Sequence, residues 1–216
     1  MPDPSTAATI TGDSTPARLL DATERLIGEH GVDGVSLRAI NAAANSNVAA
    51  AHYHFGSKEA LVEAALQRRM GPLAADRLAM LGELEEARRP LVRGIVEAFV
   101  LPLVRFCETE EGRNYVRFLA TLDRSGEPWR SFIMDAFAPQ WARIEPLLMR
   151  ALPDVPDQVR RFRFSVAGSM LLDVLANPGR HLAANHDVPD FREVVSDLID
   201  LITGALAAPS TSRRNP

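Results

Sequence analysis

Apolar positions recur every three to four residues along most of the chain, the spacing that gathers side chains on one face of an α-helix, and the strict alternation of a half-buried strand appears nowhere. After Pro16, the residues Leu19, Leu20, Ala22, Thr23, Leu26 and Ile27 repeat in this way until His30-Gly31, which predicts a first helix over residues 16–30. Ser36 is placed to cap a second helix over 37–44, whose Leu37, Ile40 and Ala44 share a face. Asn45-Ser46-Asn47 reads as a turn, and the Asn47 side chain is placed to cap a third helix over 48–55. Two short helices joined by the three residues 45–47 have helix-turn-helix spacing. Gly56 closes the third helix, and Ser57 caps a fourth with Glu59 in its first turn.

The fourth helix heads toward residue 87 but meets Gly71-Pro72, where proline removes a backbone donor and a kink or a break is expected. A kink here would let the N-terminal unit swing; alternatively Pro72 simply ends a helix. Further helices are predicted over 91–109, 112–125, 128–152, 156–177 and 190–208, with Pro102, Pro139 and Pro146 inside them. The last two carry more apolar surface than one core contact needs. Phe162, Val166 and Met170 form one stripe of the penultimate helix, and Phe164, Ala167, Leu171 and Val174 form another. Val195, Leu198 and Ile202 lie on a similarly wide stripe of the last helix. One face can pack inward while the other meets a second copy, so Phe162, Val166, Met170, Val195, Leu198 and Ile202 are candidates for a homodimer interface. The competing reading places both helices inside a monomer.

Composition narrows the class. With 216 residues, 46% hydrophobic and 24% charged, the chain has enough apolar material for a packed core. No apolar run approaches the roughly 20 residues of a membrane helix. The polar opening MPDPSTAATITGDST lacks the features of a signal peptide, so the expected location is the cytoplasm. Cys107 is the only cysteine and sits in an apolar stretch, which excludes an intrachain disulfide. The net charge of −4 argues against nucleic acid as a partner, because a duplex-binding surface must be basic, but its distribution matters more. Residues 34–58 contain Arg38 and Lys58 and no Asp or Glu, while Asp33 and Glu59 stand just outside.

Within that window lies NVAAAHYHFGSKEAL, residues 47–61. A helix entering the major groove needs small side chains where it nears the bases, donors for base edges, and groups at its rim for phosphates. Ala49, Ala50 and Ala51 keep this helix slim, Asn47 and His52 can reach base edges, and Tyr53, His54 and Lys58 can bind phosphate oxygens. Ser36 and Arg38, on the helix that would cross the backbone, can hold the same strand. Phe55 suits a small core. His52 and His54 cannot share a metal ion from a helix, because residues two apart point roughly 200° from one another. No nucleophile elbow, metal-ligand spacing or glycine-rich phosphate loop is present to suggest an enzyme, and neither a cofactor nor a metal is expected.

From Ala17 to about Leu66 the sequence resembles the DNA-binding domain of TetR-type transcriptional regulators. The match is carried by LLDATERLIGEHGVDGVSLRAINAAA and by the signature YHF-x-SKEAL, in Tyr53, His54, Phe55, Ser57, Lys58, Glu59, Ala60 and Leu61. Three features depart from the family pattern. The turn reads Ala44-Asn45-Ser46 where Ala-Gly-Val is usual, Asn41 stands where alanine is common, and His52 replaces the usual Tyr or Asn. Asparagine tolerates the left-handed backbone that glycine supplies, Ser46 removes an apolar anchor, and His52 offers a titratable contact.

The resemblance implies an all-α protein: an N-terminal three-helix helix-turn-helix DNA-binding domain over 16–60 and a C-terminal helical effector-binding and dimerisation domain over 61–208. A disordered arm over 1–15 and a loose tail over 209–216 would flank them. It implies a homodimer on a pseudo-palindromic double-stranded DNA operator, most simply a repressor released by a small-molecule effector. The alternative is a helical ligand-binding or interaction protein that has lost specific DNA binding. For the effector site the middle helices offer Phe99, Leu103, Phe106, Phe118, Leu122, Met134, Phe137 and Trp141, with Asn114 and Arg117 as polar partners and Arg117 suited to an acidic group.

Overall fold

The computed structural model describes residues 14–86, 90–180 and 190–210, and every regular element among them is helical. The helices are α1 (Thr15–His30), α2 (Leu37–Ala43), α3 (Ala50–Phe55), α4 (Lys58–Glu85), α5 (Val92–Phe106), α6 (Glu110–Arg124), α7 (Trp129–Ala151), α8 (Asp157–Ala176) and α9 (Phe191–Ala207), with one 3-10 turn at Pro178–Arg180. The N-terminal arm lies outside the described residues as far as residue 13; Ser14 and Thr15 belong to α1 and its cap. Of the expected tail, residues 211–216 lie outside them.

Side-chain caps set where several helices begin. Ser14, Ser36, Ser57 and Thr109 each accept a hydrogen bond from the amide three residues on, satisfying a donor that the first turn leaves open. Gly56 ends α3 at φ 79°, a conformation glycine adopts without penalty, and Asn45 turns the chain between α2 and α3 at φ 48°. Of the kink or break expected at Gly71-Pro72, the break does not occur. α4 runs unbroken through Pro72, as α5 runs through Pro102 and α7 through Pro139 and Pro146. Proline forfeits one intrahelical bond, but Met70, Leu73, Arg77 and Leu81 are buried around it, and that packing outweighs the loss.

α1, α2 and α3 pack on one another, and α1 and α3 pack on the first half of α4. The second half of α4 packs against α5 and α7, α6 sits between α1, α7 and α8, and α9 closes over α5 and α8. One continuous apolar core runs from Leu19 to Leu206. The expected division at residue 60 therefore falls inside α4, a helix shared by the N-terminal unit and the helices around the cavity described below. α1 approaches α6 so closely at Gly28 that a Cβ there would stand 3.1 Å from Arg117 Cβ and 3.2 Å from the Phe118 amide nitrogen.

Candidate functional site

The surface of α2 and α3 is built around Asn41, which is 2% exposed. Its amide nitrogen donates to the Leu37 carbonyl at 2.8 Å and the Val48 carbonyl at 3.0 Å. Its amide oxygen accepts from the Ala51 amide at 3.0 Å and from the Ser46 hydroxyl at 3.1 Å. This one side chain thus joins α2, the turn and α3. The expected cap from the Asn47 side chain is displaced by it: that side chain accepts from the Ala49 amide, before the helix begins, and α3 starts at Ala50 rather than residue 48. Ser46, which in sequence reads as a lost apolar anchor, is instead the polar partner that Asn41 requires.

Around this latch the candidate contact residues are distributed unevenly. Ser36, Arg38, Asn47, Ala49, His52, Tyr53 and His54 are exposed, and Tyr53 at 84% exposure is the barest aromatic ring among the described residues. Its ring meets that of His54 edge to face, 5.1 Å between centroids. Ala50 and Phe55 pack partly against the core, and Ala51 is fully buried, so α3 presents one side to solvent rather than its whole circumference. Lys58 is half-buried and donates to the Val32 carbonyl, so its ammonium tethers α4 to the α1–α2 loop while remaining beside the surface. Arg18 reaches across to the Ala44 carbonyl at 3.1 Å and steadies the end of α2.

An ion cluster fastens this unit to α4. Glu24 of α1 is 1% exposed and accepts from Arg68 at 2.7 Å and from Arg69 at 2.8 Å, while Asp21 accepts from Arg68 at 2.6 Å and Arg69 at 3.0 Å. Both arginines lie in the turn before Pro72. Tyr115 of α6 donates to the Leu66 carbonyl of α4 at 2.8 Å, and burial pushes its phenol well above the ordinary range. α4 is therefore held at one height by α1 and α6 together.

Beyond that point α4 lines a cavity of about 300 Å³ between α4, α5, α6, α7 and α8. Five of the candidate effector residues line it: Phe99, Leu103, Met134, Phe137 and Trp141. The other five do not. Phe118 and Leu122 are fully buried on the core side of α6, Phe106 stacks edge to face on Tyr115, and Arg117 and Asn114 lie at the α1 side, Arg117 exposed and within reach of Asn114 at 3.5 Å. Sequence reasoning missed the contribution of α4 and α8. Met70, Leu73 and Arg77 line one wall, and Phe164, Gly168 and Leu171 another. Phe164 is the hub of the aromatic cluster, 4.7 Å from Phe99 and 5.0 Å from Trp141 between centroids. The signal for α8 was its second apolar stripe, which faces this cavity rather than a partner. Cys107 is buried, its thiol pushed up to about 11.

The candidate interface splits in the same way. On α8, Phe162 at 68% and Val166 at 49% exposure stand out from the surface, with Met170 half-buried beside them. On α9, Val195, Leu198 and Ile202 are buried in the protomer's own core and cannot meet a second chain. They sit on the stripe that packs against α5 and α8; Phe191, at the first turn of that stripe, and Leu201, on its flank, are exposed. Arg163 holds the two helices together by donating to the Leu206 carbonyl at 2.9 Å and the Ala208 carbonyl at 2.6 Å.

Comparison with known proteins agrees with this anatomy. The family profile described as bacterial regulatory proteins, tetR family, matches residues 19–65, and that of the tetracyclin repressor-like C-terminal domain matches residues 97–205. No curated protein matches the chain by sequence. Among solved structures, the fatty acid degradation regulator FadR from Bacillus halodurans is similar at a TM-score of 0.62 and 18% identity, over 89% of this chain and 96% of that one. FadR from Bacillus subtilis, solved in complex with stearoyl-CoA, is similar at a TM-score of 0.61 and 12% identity, over 87% and 97% of the two chains. The regulator PfmR from Thermus thermophilus is similar at a TM-score of 0.56 and 21% identity, over 88% and 96%. At such identities the structures share the fold. With both halves of the chain matched by family profiles, the protein belongs to the TetR family of ligand-responsive, DNA-binding transcriptional regulators.

Proposed function

We propose that the protein is a cytoplasmic homodimeric repressor that binds a pseudo-palindromic operator through α2, α3 and the start of α4, and releases it when an apolar small molecule fills the cavity. The observation that carries this reading is the course of α4. It begins beside the exposed side of α3 with Lys58 and goes on to form a wall of the cavity with Leu73 and Arg77. Residues 16–60 serve as the DNA-binding domain and 61–208 as the effector-binding and dimerisation domain. Tyr53, His54 and Arg38 take phosphates, Asn47 and His52 read base edges, and Ala49 lets the helix approach. Phe162, Val166 and Met170 of α8 with Phe191 and Leu201 of α9 form the two-fold interface. The B. subtilis FadR complex is a precedent for an apolar chain as the ligand.

Selection of bound duplexes from a randomised pool, followed by titration at two salt concentrations, tests the proposal. The expected winner has two half-sites centred about ten base pairs apart, binds more weakly as salt rises, and is lost with Tyr53→Ala. A folded dimer that selects no sequence would instead mark a ligand-binding protein without an operator.

A further inference from the structure

Among the arginines buried or nearly so, Arg68 and Arg69 share Glu24 and Asp21, and Arg160 pairs with Asp157. Arg77, at 3% exposure, has no carboxylate. Its guanidinium donates to the Gln140 side-chain oxygen and to the Phe99 carbonyl at 3.0 Å, and it lies 5.0 Å and 5.4 Å from the ring centres of Phe99 and Phe137. Its Nε–H has no partner, and neither has the Gln140 amide nitrogen beside it. Burial lowers its pKa to about 10, so it remains a cation at neutral pH. Buried charges in proteins are ordinarily paired, because an isolated one loses its hydration without a compensating partner. Two flanking rings and two neutral acceptors mitigate that cost without cancelling the charge.

Arg77 lines the cavity, and so do both of those rings. The remaining charges of the lining do not neutralise it. Arg161 is occupied by Glu145 at 2.6 Å, Arg130 is exposed and donates to Ser165 at 3.2 Å, and Asp123 is the single carboxylate against three guanidiniums. The rest of the wall is mainly aliphatic and aromatic. We propose that the cavity takes an amphipathic monocarboxylic acid as the free, ionised acid, its carboxylate meeting Arg77 and its apolar body lying against Leu73, Phe137, Trp141 and Phe164. A volume of about 300 Å³ holds roughly ten water-sized groups, so the body is of medium length. A thioester has no carboxylate to offer, and an alcohol or amine of the same body leaves the guanidinium unneutralised. The inference rests on reading this cavity as the effector site, and it names the chemical class of the effector.

Titration calorimetry on the full-length protein with decanoate, and with decan-1-ol and methyl decanoate as probes of the same apolar body, tests the class. Wild type should bind decanoate about ten- to a hundred-fold more tightly than either neutral probe, the range of a charge-assisted hydrogen bond. Arg77→Gln should bind all three alike, and Arg77→Lys should keep part of the preference. The wild-type comparison alone decides the matter if a variant does not fold. Equal or weaker binding of decanoate than of the neutral probes, or a preference unchanged in a folded Arg77→Gln, would overturn the inference. Release of the selected duplex is read separately. Arg77-dependent binding without release supports the acid site and refutes its role as effector site; release by neutral compounds alone refutes the acid and leaves the repressor reading standing.

Discussion

Restoring the residue that the family commonly carries at position 41 should damage this protein. In Asn41→Ala the buried Ala51 amide loses its acceptor, and an orphaned buried donor costs about 1–3 kcal/mol. The Val48 carbonyl loses a donor too, but Val48 is exposed and water replaces it at little cost. The expected destabilisation is about 2–3 kcal/mol, with the start of α3 loosened and operator affinity reduced at least tenfold. Ser46→Val alone should cost about 1 kcal/mol, since it strips one of the two donors to the Asn41 amide oxygen and sets an apolar group against a polar one. The double variant recreates the family's own combination of alanine and an apolar residue, so it should be more stable than the sum of the two losses by at least about 1 kcal/mol. Urea unfolding of the four proteins, with operator titration alongside, measures the cycle. Additivity within about 0.5 kcal/mol would refute the claim that Asn41 and Ser46 act as one latch.

Three further outcomes are expected. Gly28→Val should cost about 3 kcal/mol in melting experiments and weaken the response of DNA binding to ligand, because its side chain enters the 3.1 Å gap to α6 and forces the two helices apart; a variant of wild-type stability and response would show that the gap yields freely. Phe162→Glu should shift the sedimenting species toward monomer at micromolar concentration while leaving the helical spectrum unchanged, and an unaltered dimer would remove the exposed face of α8 from the interface. Cys107 should react with iodoacetamide at pH 8 roughly a hundred times more slowly in the folded protein than in urea, since its folded pKa of about 11 exceeds the ordinary 9.0. The same sign means that the thiol's contribution to stability is complete below pH 9 and disappears as pH rises through 11. Comparable alkylation rates in both states would refute its burial.

The helices were legible because periodicity and caps are local: Ser36 and Ser57 announce their helices within one turn, while Ser14 and Thr109 cap theirs without having been read as caps. Pro72, read as a kink or a break, was harder to place for the opposite reason. A lost backbone bond is visible in the sequence, whereas the packing of Met70, Leu73 and Leu81 that offsets it depends on α5 and α7. Asn41 looked like a departure because its value lies in bonds to Val48 and Ala51, which exist only once α3 has docked. Half of the effector candidates do line the cavity, and all of these lie on α5 and α7. The rest of its wall was hidden because an arginine on a long helix reads as a solvated charge, and Phe118 and Leu122 carry the same apolar signal whether they face a cavity or a core.

The fastening of α4 has a mechanical meaning. Leu66, held by Tyr115, and the neighbouring Arg68–Arg69 clamp form a fulcrum. At 1.5 Å rise per residue, Lys58 lies about 12 Å to one side of Leu66 and Arg77 about 17 Å to the other. Behaving as a rigid rod, the helix is a lever whose longer arm lies in the cavity. A sideways push of about 1 Å at Arg77 would arrive at Lys58 as about 0.7 Å in the opposite direction, with force multiplied in the inverse ratio. Such gearing sacrifices travel for strength, which suits a ligand that must prise a helix from a surface held by many phosphates rather than carry it a long way.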